Sequence, residues 1–194
     1  RNEHGGASIS GFCESRNHEI IISVWNGRVY HLDKEKDEFI PYPDKMRSRN
    51  PTVMVQDNEQ DYFWLATWGD GVVRFDPSAP GDSMFVYSEI PVNAAGEEDG
   101  LILSLAQDDK LGYIWLTTGH DFMALQIQPD RTLKQLKFPA GLLPVNHMLV
   151  EVLKGKECLW VSAFDRPSFI LHLMDNITKD YALPALADRV NRSP

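Results

Sequence analysis

The chain has 194 residues, of which 43% are hydrophobic and 24% are charged, a composition typical of a folded globular protein and not of a disordered one. Its formal net charge of −9 and its pI near 5.1 argue against a nucleic-acid partner, because phosphate recognition needs clustered lysine and arginine. The sequence contains no long apolar run of the length that a membrane span requires, so we expect no direct membrane contact in this segment.

Similar segments follow one another along the chain. The sequence VMVQDNEQDYFW at 53–64 aligns without a gap on SLAQDDKLGYIW at 104–115, which places Trp64 opposite Trp115. Both segments have an apolar stretch, a polar turn and a strand that begins with an aromatic pair. Self-similarity of this kind indicates a repeat architecture.

The same alignment extends to two further copies. IISVWNGRVYHLD at 21–33 aligns on WLATWGDGVVRFD at 64–76, and LWVSAFDRPSFILHL at 159–173 is a more divergent copy. All five tryptophans fall on two columns of this alignment, with Trp64, Trp115 and Trp160 in one and Trp25 and Trp68 in the other.

Each copy predicts four short strands in chain order. An apolar alternating strand is followed by a polar turn, a second strand led by tryptophan, a turn rich in Gly, Asn or Asp, a third strand, and a fourth strand that ends in an aromatic residue. Four antiparallel strands per repeat are typical of a β-propeller blade, whereas a β-sandwich does not repeat its sequence every four strands. We therefore predict an all-β fold with about four four-stranded antiparallel blades in one unit, 1–194, with blades at roughly 8–43, 52–88, 102–138 and 147–183.

Two stretches carry a family resemblance. YFWLATWGDGVVRFD and GYIWLTTGHDFMAL resemble the two-component-regulator propeller repeat, in which an aspartate turn, a Trp-led strand and a Gly-rich turn recur. The resemblance implies the periplasmic sensor region of a Bacteroides-type hybrid two-component histidine kinase. Such receptors detect oligosaccharides and signal to a kinase elsewhere in the protein. The periplasm is therefore the expected location.

About four blades are fewer than such propellers usually contain. An open array of sheets leaves two edges unpaired, which invites association. We therefore expect either a segment of a larger propeller, with the remaining blades or domains of a receptor as its partners, or a homodimer that covers the edges.

The loops predict where a ligand binds. In a four-stranded blade, the turn between the second and third strands and the link to the next blade lie on the same face of the propeller, and function tends to reside in such loops. This reasoning gathers the inter-blade links 43–50, 92–100 and 140–146 with a set of candidate ligand-binding residues: Trp25, Asn26, Trp68, Asp70, His120, Asp121, Asp165 and Arg166. Arg47 and Arg49 add positive charge. The acidic link 93–100 is the longest, and we expect it to be mobile.

Several other features are expected to be structural. We expect Trp64, Trp115 and Trp160 to be core residues between blades, and Trp25 and Trp68 to be either core or ligand contacts. The acidic runs 57–61 and 33–37 imitate the start of a calcium loop but lack its glycine and its closing glutamate, so solvated hairpin turns are expected.

The sequence contains no catalytic or metal-binding motif. No histidine pair or Cys/His cluster has zinc-ligand spacing, and we expect no cofactor and no metal. Cys13 and Cys158 are expected to be buried thiols in strands, without a disulfide pattern. The leading hypothesis is thus a ligand-sensing or binding module. A protein-interaction propeller without a small-molecule ligand is the alternative, and a propeller lyase or glycosidase is the third.

Overall fold

The computed structural model describes residues 8–25, 28–42, 46–47, 50–93, 95–108, 112–118, 122–136, 145–153, 156–163 and 169–172, which form four antiparallel sheets called blades 1 to 4. Blade 1 contains β1 (Ser8–Glu14), β2 (Ile20–Trp25), β3 (Val29–Asp33) and β4 (Glu38–Pro41). Blade 2 contains β5 (Pro51–Gln56), β6 (Phe63–Thr67), β7 (Val72–Phe75) and β8 (Phe85–Tyr87), with a short 3-10 helix at Gly81–Ser83. Blade 3 contains β9 (Ile102–Asp108), β10 (Tyr113–Thr118), β11 (Phe122–Ile127) and β12 (Leu133–Gln135). Blade 4 contains β13 (Val145–Leu153), β14 (Lys156–Ala163) and β15 (Phe169–His172).

Successive blades contact each other through their first strands. Within each blade, strands that are consecutive in sequence are hydrogen-bonded neighbours. The first strands then contact one another in succession, β1 with β5, β5 with β9 and β9 with β13. This is the arrangement of a β-propeller, and the predicted fold class is confirmed as a partial propeller. The fourth strand predicted for blade 4, within 173–183, lies outside the described residues. In the part of the chain that the structure describes, no helical segment has the length and apolar character of a membrane crossing.

Central strands are covered on both faces. Every residue of β6, FWLAT, is buried, whereas β4 at the outer edge of blade 1 is mostly exposed. A strand with two buried faces needs apolar side chains at successive positions rather than at alternate ones. The continuous apolar run at the start of β6 thus follows from its place between blades 1 and 3.

Strand register repeats between blades. Trp64 pairs with Val55 on β5, and Trp115 pairs with Ala106 on β9, so the gap-free alignment of the two copies holds across both first hairpins. Trp64 is 0% exposed and Trp115 is 3% exposed, which confirms the expectation that these two are core residues. Trp160 pairs with Leu149 in the corresponding hairpin of blade 4.

The gap-free alignment of blades 2 and 3 ends at the turn between their second and third strands. Ala66 pairs with Val72 in blade 2, whereas Thr117 pairs with Phe122 across a shorter turn in blade 3. Strand β11 therefore begins at Phe122, one position before the start that the gap-free alignment predicts. A turn at the rim can change length without disturbing the sheet below it.

A β-bulge recurs near the start of every first strand. The register shift leaves one unpaired residue in each blade: Ser10, Thr52, Leu103 and Asn146. A bulge bends its strand and increases the local twist. In blade 2 it also directs a hydroxyl at the next blade, because Thr52 Oγ1 donates to the Ile102 carbonyl at 2.6 Å.

Apolar cores fill the spaces between blades. Ile21 and Val29 of blade 1 pack on one side of blade 2, in a cluster that includes Phe63, Leu65 and Phe75. The other side of blade 2 packs on blade 3 in a second cluster, which is formed by Trp64, Ala66, Val72, Ile102, Ile114, Leu116, Met123 and Leu125. Burial of apolar side chains between sheets is the main stabilising contribution in such a fold.

A buried carboxylate ties each central hairpin to its tryptophan. Trp64 Nε1 donates to Asp57 Oδ2 at 2.9 Å, and Trp115 Nε1 donates to Asp108 Oδ2 at 3.2 Å. Both carboxylates are 0% exposed. The expectation of a solvated turn at 57–61 is therefore wrong for Asp57, because its side chain is an internal acceptor and not a surface charge.

Asp57 has two further functions in the fold. Its Oδ1 accepts the backbone N–H groups of Glu59 and Gln60 at 3.0 and 2.9 Å, which closes the hairpin turn. Its Oδ2 accepts Nε2 of Gln107 from blade 3 at 3.2 Å. One carboxylate thus organises a turn, orients an indole and links two blades.

Substitution of Asp57 by alanine should lower the free energy of unfolding by about 3 kcal/mol, because the buried indole and amide donors lose their acceptor. Asp61→Ala in the same hairpin is the matched control: its carboxylate is 69% exposed and lies 3.5 Å from Arg16, and loss of such a surface pair costs about 0–1 kcal/mol. Urea unfolding followed by tryptophan fluorescence measures both variants. Equal destabilisation by the two substitutions would contradict the assigned importance of Asp57.

Tyr62 makes the fold sensitive to alkali. Burial, and then the negative charge of Asp57, raise the pKa of Tyr62 to about 12. A phenol whose pKa is higher in the folded state than in the unfolded state stabilises the fold below the unfolded value near 10 and loses that contribution as pH rises to about 12. The free energy of unfolding should fall over this interval on this account, and Tyr62→Phe should remove that share of the fall. An unchanged slope in the Tyr62→Phe protein would be inconsistent with this assignment.

Candidate functional site

Trp68 lies where three chain segments meet on one rim of the propeller. Strand β6 ends at Thr67, and the Trp68 backbone N–H donates to the Asn50 carbonyl at 2.9 Å, in the link that enters blade 2. The next residue, Gly69, donates its N–H to the Gly100 carbonyl at 2.9 Å, in the link that enters blade 3. The turn of blade 2 is therefore fixed between two inter-blade links, on the side of the sheets where the candidate face was predicted.

Trp25 and Trp68 contact each other. Their rings are 5.2 Å apart between centroids and meet edge to face at 71°. Trp25 is half-buried, whereas Trp68 is 50% exposed, so Trp68 is not a core residue. The two ends of the second strands of blades 1 and 2 thus form one aromatic surface that is open to solvent on one side. We call this pair the tryptophan platform.

The turn beneath Trp68 is internally braced. Thr67 donates its N–H and its hydroxyl to the Gly71 carbonyl, at 3.0 and 2.9 Å, and its Oγ1 accepts the Asp70 N–H at 3.0 Å. Gly69 and Gly71 have φ angles of 120° and 66°, which only glycine adopts without strain. This bracing holds Asp70 beside the platform, and among the described residues no cation pairs with its carboxylate.

The acidic link into blade 3 is held by its own hydrogen bonds. Asn93 Oδ1 accepts the N–H groups of Ala95 and Glu97 at 2.9 and 3.0 Å, and Asp99 donates its N–H to the Pro91 carbonyl at 2.7 Å. Asp99 is only 5% exposed. The described residues of the link therefore form a hydrogen-bonded turn.

A glutamine fixes the start of the same link. Gln135 Nε2 donates to the Val92 carbonyl at 2.6 Å, and the Val92 N–H donates to Gln135 Oε1 at 2.8 Å. The side-chain amide thereby pairs with one residue of the link much as a neighbouring strand would. This restraint comes from the fourth strand of blade 3, far away in sequence, and no local pattern predicts it.

The rest of the candidate face is described only in part. Arg47 packs its guanidinium over the Tyr87 ring, 4.4 Å from the ring centroid, and so lies against the outer strand of blade 2 rather than on the tryptophan platform. Five predicted site residues, with Arg49, lie outside the described residues: Asn26, His120, Asp121, Asp165 and Arg166. Of the predicted site residues that the structure describes, Trp25 and Trp68 are in ring contact, and Asp70 lies in the turn that follows Trp68.

A concave surface lies away from the tryptophan platform, between the outer strands of blades 2 and 3. It has a volume of about 400 Å³ and is lined by three cations and a carboxylate, Arg74, Arg131, Lys134 and Glu89. Arg131 is already paired with Glu59 at 2.9 Å. No spacing in the sequence predicts this cleft, because its lining residues come from separate strands and turns.

Metal and thiol chemistry have little support in the described part of the chain. No group of three or more His, Cys, Asp or Glu side chains there is placed to hold a metal ion. Cys13 is a free thiol in β1, and burial raises its pKa, so it is a poor nucleophile. Cys158 occupies a position in β14 opposite Glu151.

Gly100 should not tolerate a side chain. A Cβ built at Gly100 would lie 2.4 Å from the Gly69 carbonyl oxygen, a backbone atom that cannot move without the turn. Gly100→Ala should therefore separate the link from the Trp68 turn and cost about 1–3 kcal/mol of stability, as overpacking does elsewhere. Thermal unfolding and the tryptophan emission spectrum would show this change. An unchanged melting temperature together with an unchanged emission spectrum would contradict the close approach.

Comparison with known proteins agrees with this architecture. No protein-family model and no curated protein matches the sequence. Among solved structures, the chain is similar to PorZ, a surface component of the type-IX secretion system of Porphyromonas gingivalis, with 15% identity, a TM-score of 0.60 and coverage of 88% of this chain and 27% of that one. It is also similar to virginiamycin B lyase from Staphylococcus aureus, with 12% identity, a TM-score of 0.57 and coverage of 87% and 57%.

A third similar structure is a gluconolactonase from Xanthomonas campestris, with 10% identity, a TM-score of 0.58 and coverage of 82% of this chain and 57% of that one. The chain thus spans less than two thirds of the length of each of these proteins. At such low identity, the likeness concerns the fold alone. The chain is a β-propeller module of about four blades.

Proposed function

We propose that this chain is a ligand-binding segment of a sensor propeller, and that it recognises an oligosaccharide on the face that carries the tryptophan platform. In this proposal the chain is part of the periplasmic sensor region of a hybrid two-component receptor, and the kinase resides elsewhere in that receptor. No catalytic step is assigned to this segment.

The observation that carries the proposal is the exposure of Trp68. Half of this large apolar side chain is open to solvent, although its backbone is fixed by hydrogen bonds to the link at Asn50 and its ring rests against Trp25. An exposed and rigid aromatic ring loses little conformational entropy when a ligand covers it. Its flat face complements the apolar C–H surface of a sugar ring.

Asp70 adds the polar part of the site. Its backbone is held by the Thr67 hydroxyl, and among the described residues no cation neutralises its carboxylate. A carboxylate accepts hydrogen bonds from hydroxyl groups, which oligosaccharides supply in pairs along the ring. A chain with a formal net charge of −9 also favours a neutral hydroxylated ligand over a polyanion.

Two further facts support an extracytoplasmic sensor. The blade sequences resemble the two-component-regulator repeat of periplasmic sensor regions. Among the solved structures with the same fold, PorZ is described as a bacterial surface component. These two facts support the class of protein, an extracytoplasmic sensor, whereas the tryptophan platform supports the class of ligand, an oligosaccharide.

Loss of the platform should abolish glycan binding without unfolding the chain. We expect calorimetric titration against a panel of plant and host oligosaccharides to identify a binding glycan, and Trp68→Ala to weaken that binding at least tenfold. Because Trp68 is half exposed, the substitution should change the melting temperature little. Asp70→Asn should weaken binding of the same glycan less than Trp68→Ala does, since the amide retains one acceptor oxygen.

Phe39→Ala is the matched control, because Phe39 is an aromatic residue of blade 1 that is 44% exposed and lies in β4, away from the platform. It should leave glycan affinity unchanged. If no glycan binds the folded wild-type chain, or if Phe39→Ala weakens binding as much as Trp68→Ala, the proposed site is refuted.

A protein-interaction propeller is the second candidate. Ile9 and Phe12 on β1 are 63% and 65% exposed, and adjacent exposed apolar side chains on a strand are typical of a docking surface. An enzyme is the third candidate, since two of the similar structures are a lyase and a gluconolactonase. No spacing of carboxylates in the sequence favours this candidate.

A further inference from the structure

The cleft between blades 2 and 3 is formed by two consecutive blades of this chain. Strands β7 and β8 of blade 2 supply one wall, and β12 of blade 3 supplies the other with the turn 128–132 before it. Its volume of about 400 Å³ lies within the range of sites that hold small organic molecules. We call it the inter-blade cleft.

Arg74 in this cleft departs from the repeat. It lies opposite Trp64 in the pairing of β6 with β7. The residues at the same register position of the other blades carry no permanent charge: His31, Ala124 and Ile170. A charged side chain at a position that packs between sheets breaks the local pattern, and such departures are expected at functional sites.

The guanidinium of Arg74 is positioned but not satisfied. It lies over the Tyr62 ring, 5.4 Å from the ring centroid. Its Nε is buried, and none of its nitrogens donates a hydrogen bond to a described residue. A partly buried cation without an acceptor is costly to the fold, whereas a carboxylate that accepts from the terminal nitrogens would offset this cost.

A second guanidinium is held at the other wall by a closed turn. The Arg131 N–H donates to the Gln128 carbonyl at 2.8 Å, and Asp130 Oδ1 accepts the N–H and the hydroxyl of Thr132 at 3.0 and 2.7 Å. This turn keeps Arg131 at a φ of 63°, a left-handed conformation that costs energy for a residue with a side chain. Arg131 Nη2 donates to Glu59 at 2.9 Å. A guanidinium has five N–H donors, so this pair leaves donors for a ligand.

The charges around the cleft match one anionic group. Arg74, Arg131 and Lys134 carry positive charge, and they are offset in part by Glu89 in the lining and by Glu59, which pairs with Arg131. Among the described residues, no carboxylate forms an ion pair with Arg74 or Lys134. The small positive excess that remains suits a single carboxylate better than a phosphate dianion or a polyanion.

We propose that the inter-blade cleft binds a small organic acid through its carboxylate. The Arg74 fork accepts the carboxylate end-on, because two N–H groups on a planar guanidinium match its two oxygens. Arg131 lies on the opposite wall and adds a second contact. Val86 and Leu133, which also line the cleft, contact the apolar part of the ligand. The site is separate from the tryptophan platform, and the proposal does not depend on glycan binding there.

Titration of the full chain with glucuronate, acetate, glucose and inorganic phosphate tests the site. Calorimetry measures the affinity, and the NMR signal of the Arg74 Nε–H group reports on the position. Glucuronate and acetate should shift this signal saturably, whereas glucose should not. A higher affinity for glucuronate identifies an acidic sugar as the ligand, and equal affinities identify a free small acid. Both results support a carboxylate site.

Arg74→Met should raise the dissociation constant of the tighter carboxylate at least about tenfold, because the guanidinium fork is lost. Its melting temperature should not fall, since the substitution removes a partly buried charge that makes no hydrogen bond. Lys134→Gln, at an exposed position of the same cleft, should weaken binding less. Lys36→Met is the matched control: it removes an exposed cation that pairs with Asp33 at 2.8 Å in blade 1, and it should leave affinity unchanged.

Three results would overturn the proposal. The first is a folded wild-type chain in which no carboxylate shifts the Arg74 signal to saturation. The second is a loss of affinity in Lys36→Met as large as that in Arg74→Met, which indicates a general effect of net charge. The third is tighter binding of phosphate than of either carboxylate, which excludes the assigned class of ligand. Each can occur whether or not a neutral glycan binds at the tryptophan platform.

Discussion

The packing of each twisted sheet against the sheets before and after it is the interaction on which the rest of the structure depends. A blade of four short strands cannot bury enough apolar surface alone, so it needs a neighbour on each side. This requirement explains why β6 is buried at every position and why Trp64 faces blade 3 while Leu65 faces blade 1. Met54 of β5 is buried against blade 1, whereas Phe12, at the register position of Met54 in blade 1, is 65% exposed.

Buried polar contacts set the register of this packing. The Asp57 carboxylate is wholly buried and accepts the indole of its own blade and the Gln107 amide of the next. Buried acceptors of this kind are costly unless satisfied, so they permit few alternative arrangements of the hairpin. The Thr52 hydroxyl adds a second link to blade 3 at the bulge. Apolar packing supplies most of the stability, and these contacts determine which residue lies opposite which.

The candidate site is formed by turns and inter-blade links at the rim of the propeller, and not by the strands of the sheets. Trp68 is brought to the surface by a turn that two glycines and Thr67 hold in place, and it is fixed by links that belong to two different blades. Such a site combines a rigid base with loops of variable length, which is the usual division between scaffold and function. The pairing of Thr117 with Phe122 shows that blade 3 closes the same position with a turn one residue shorter than that of blade 2.

The repeat itself determined the fold class, the strand order, the register of the first hairpins and the burial of Trp64 and Trp115, because these depend on local alternation and on one pattern repeated several times. Tertiary structure alone decided that Asp57 is buried while Asp61 is exposed, that Gln135 holds Val92, and that Trp25 meets Trp68. Those contacts join residues far apart in sequence, and their geometry depends on the twist and spacing of neighbouring blades. A single sequence records no signal for such distances, since the same aspartate in a turn is compatible with a solvated loop or with a buried acceptor.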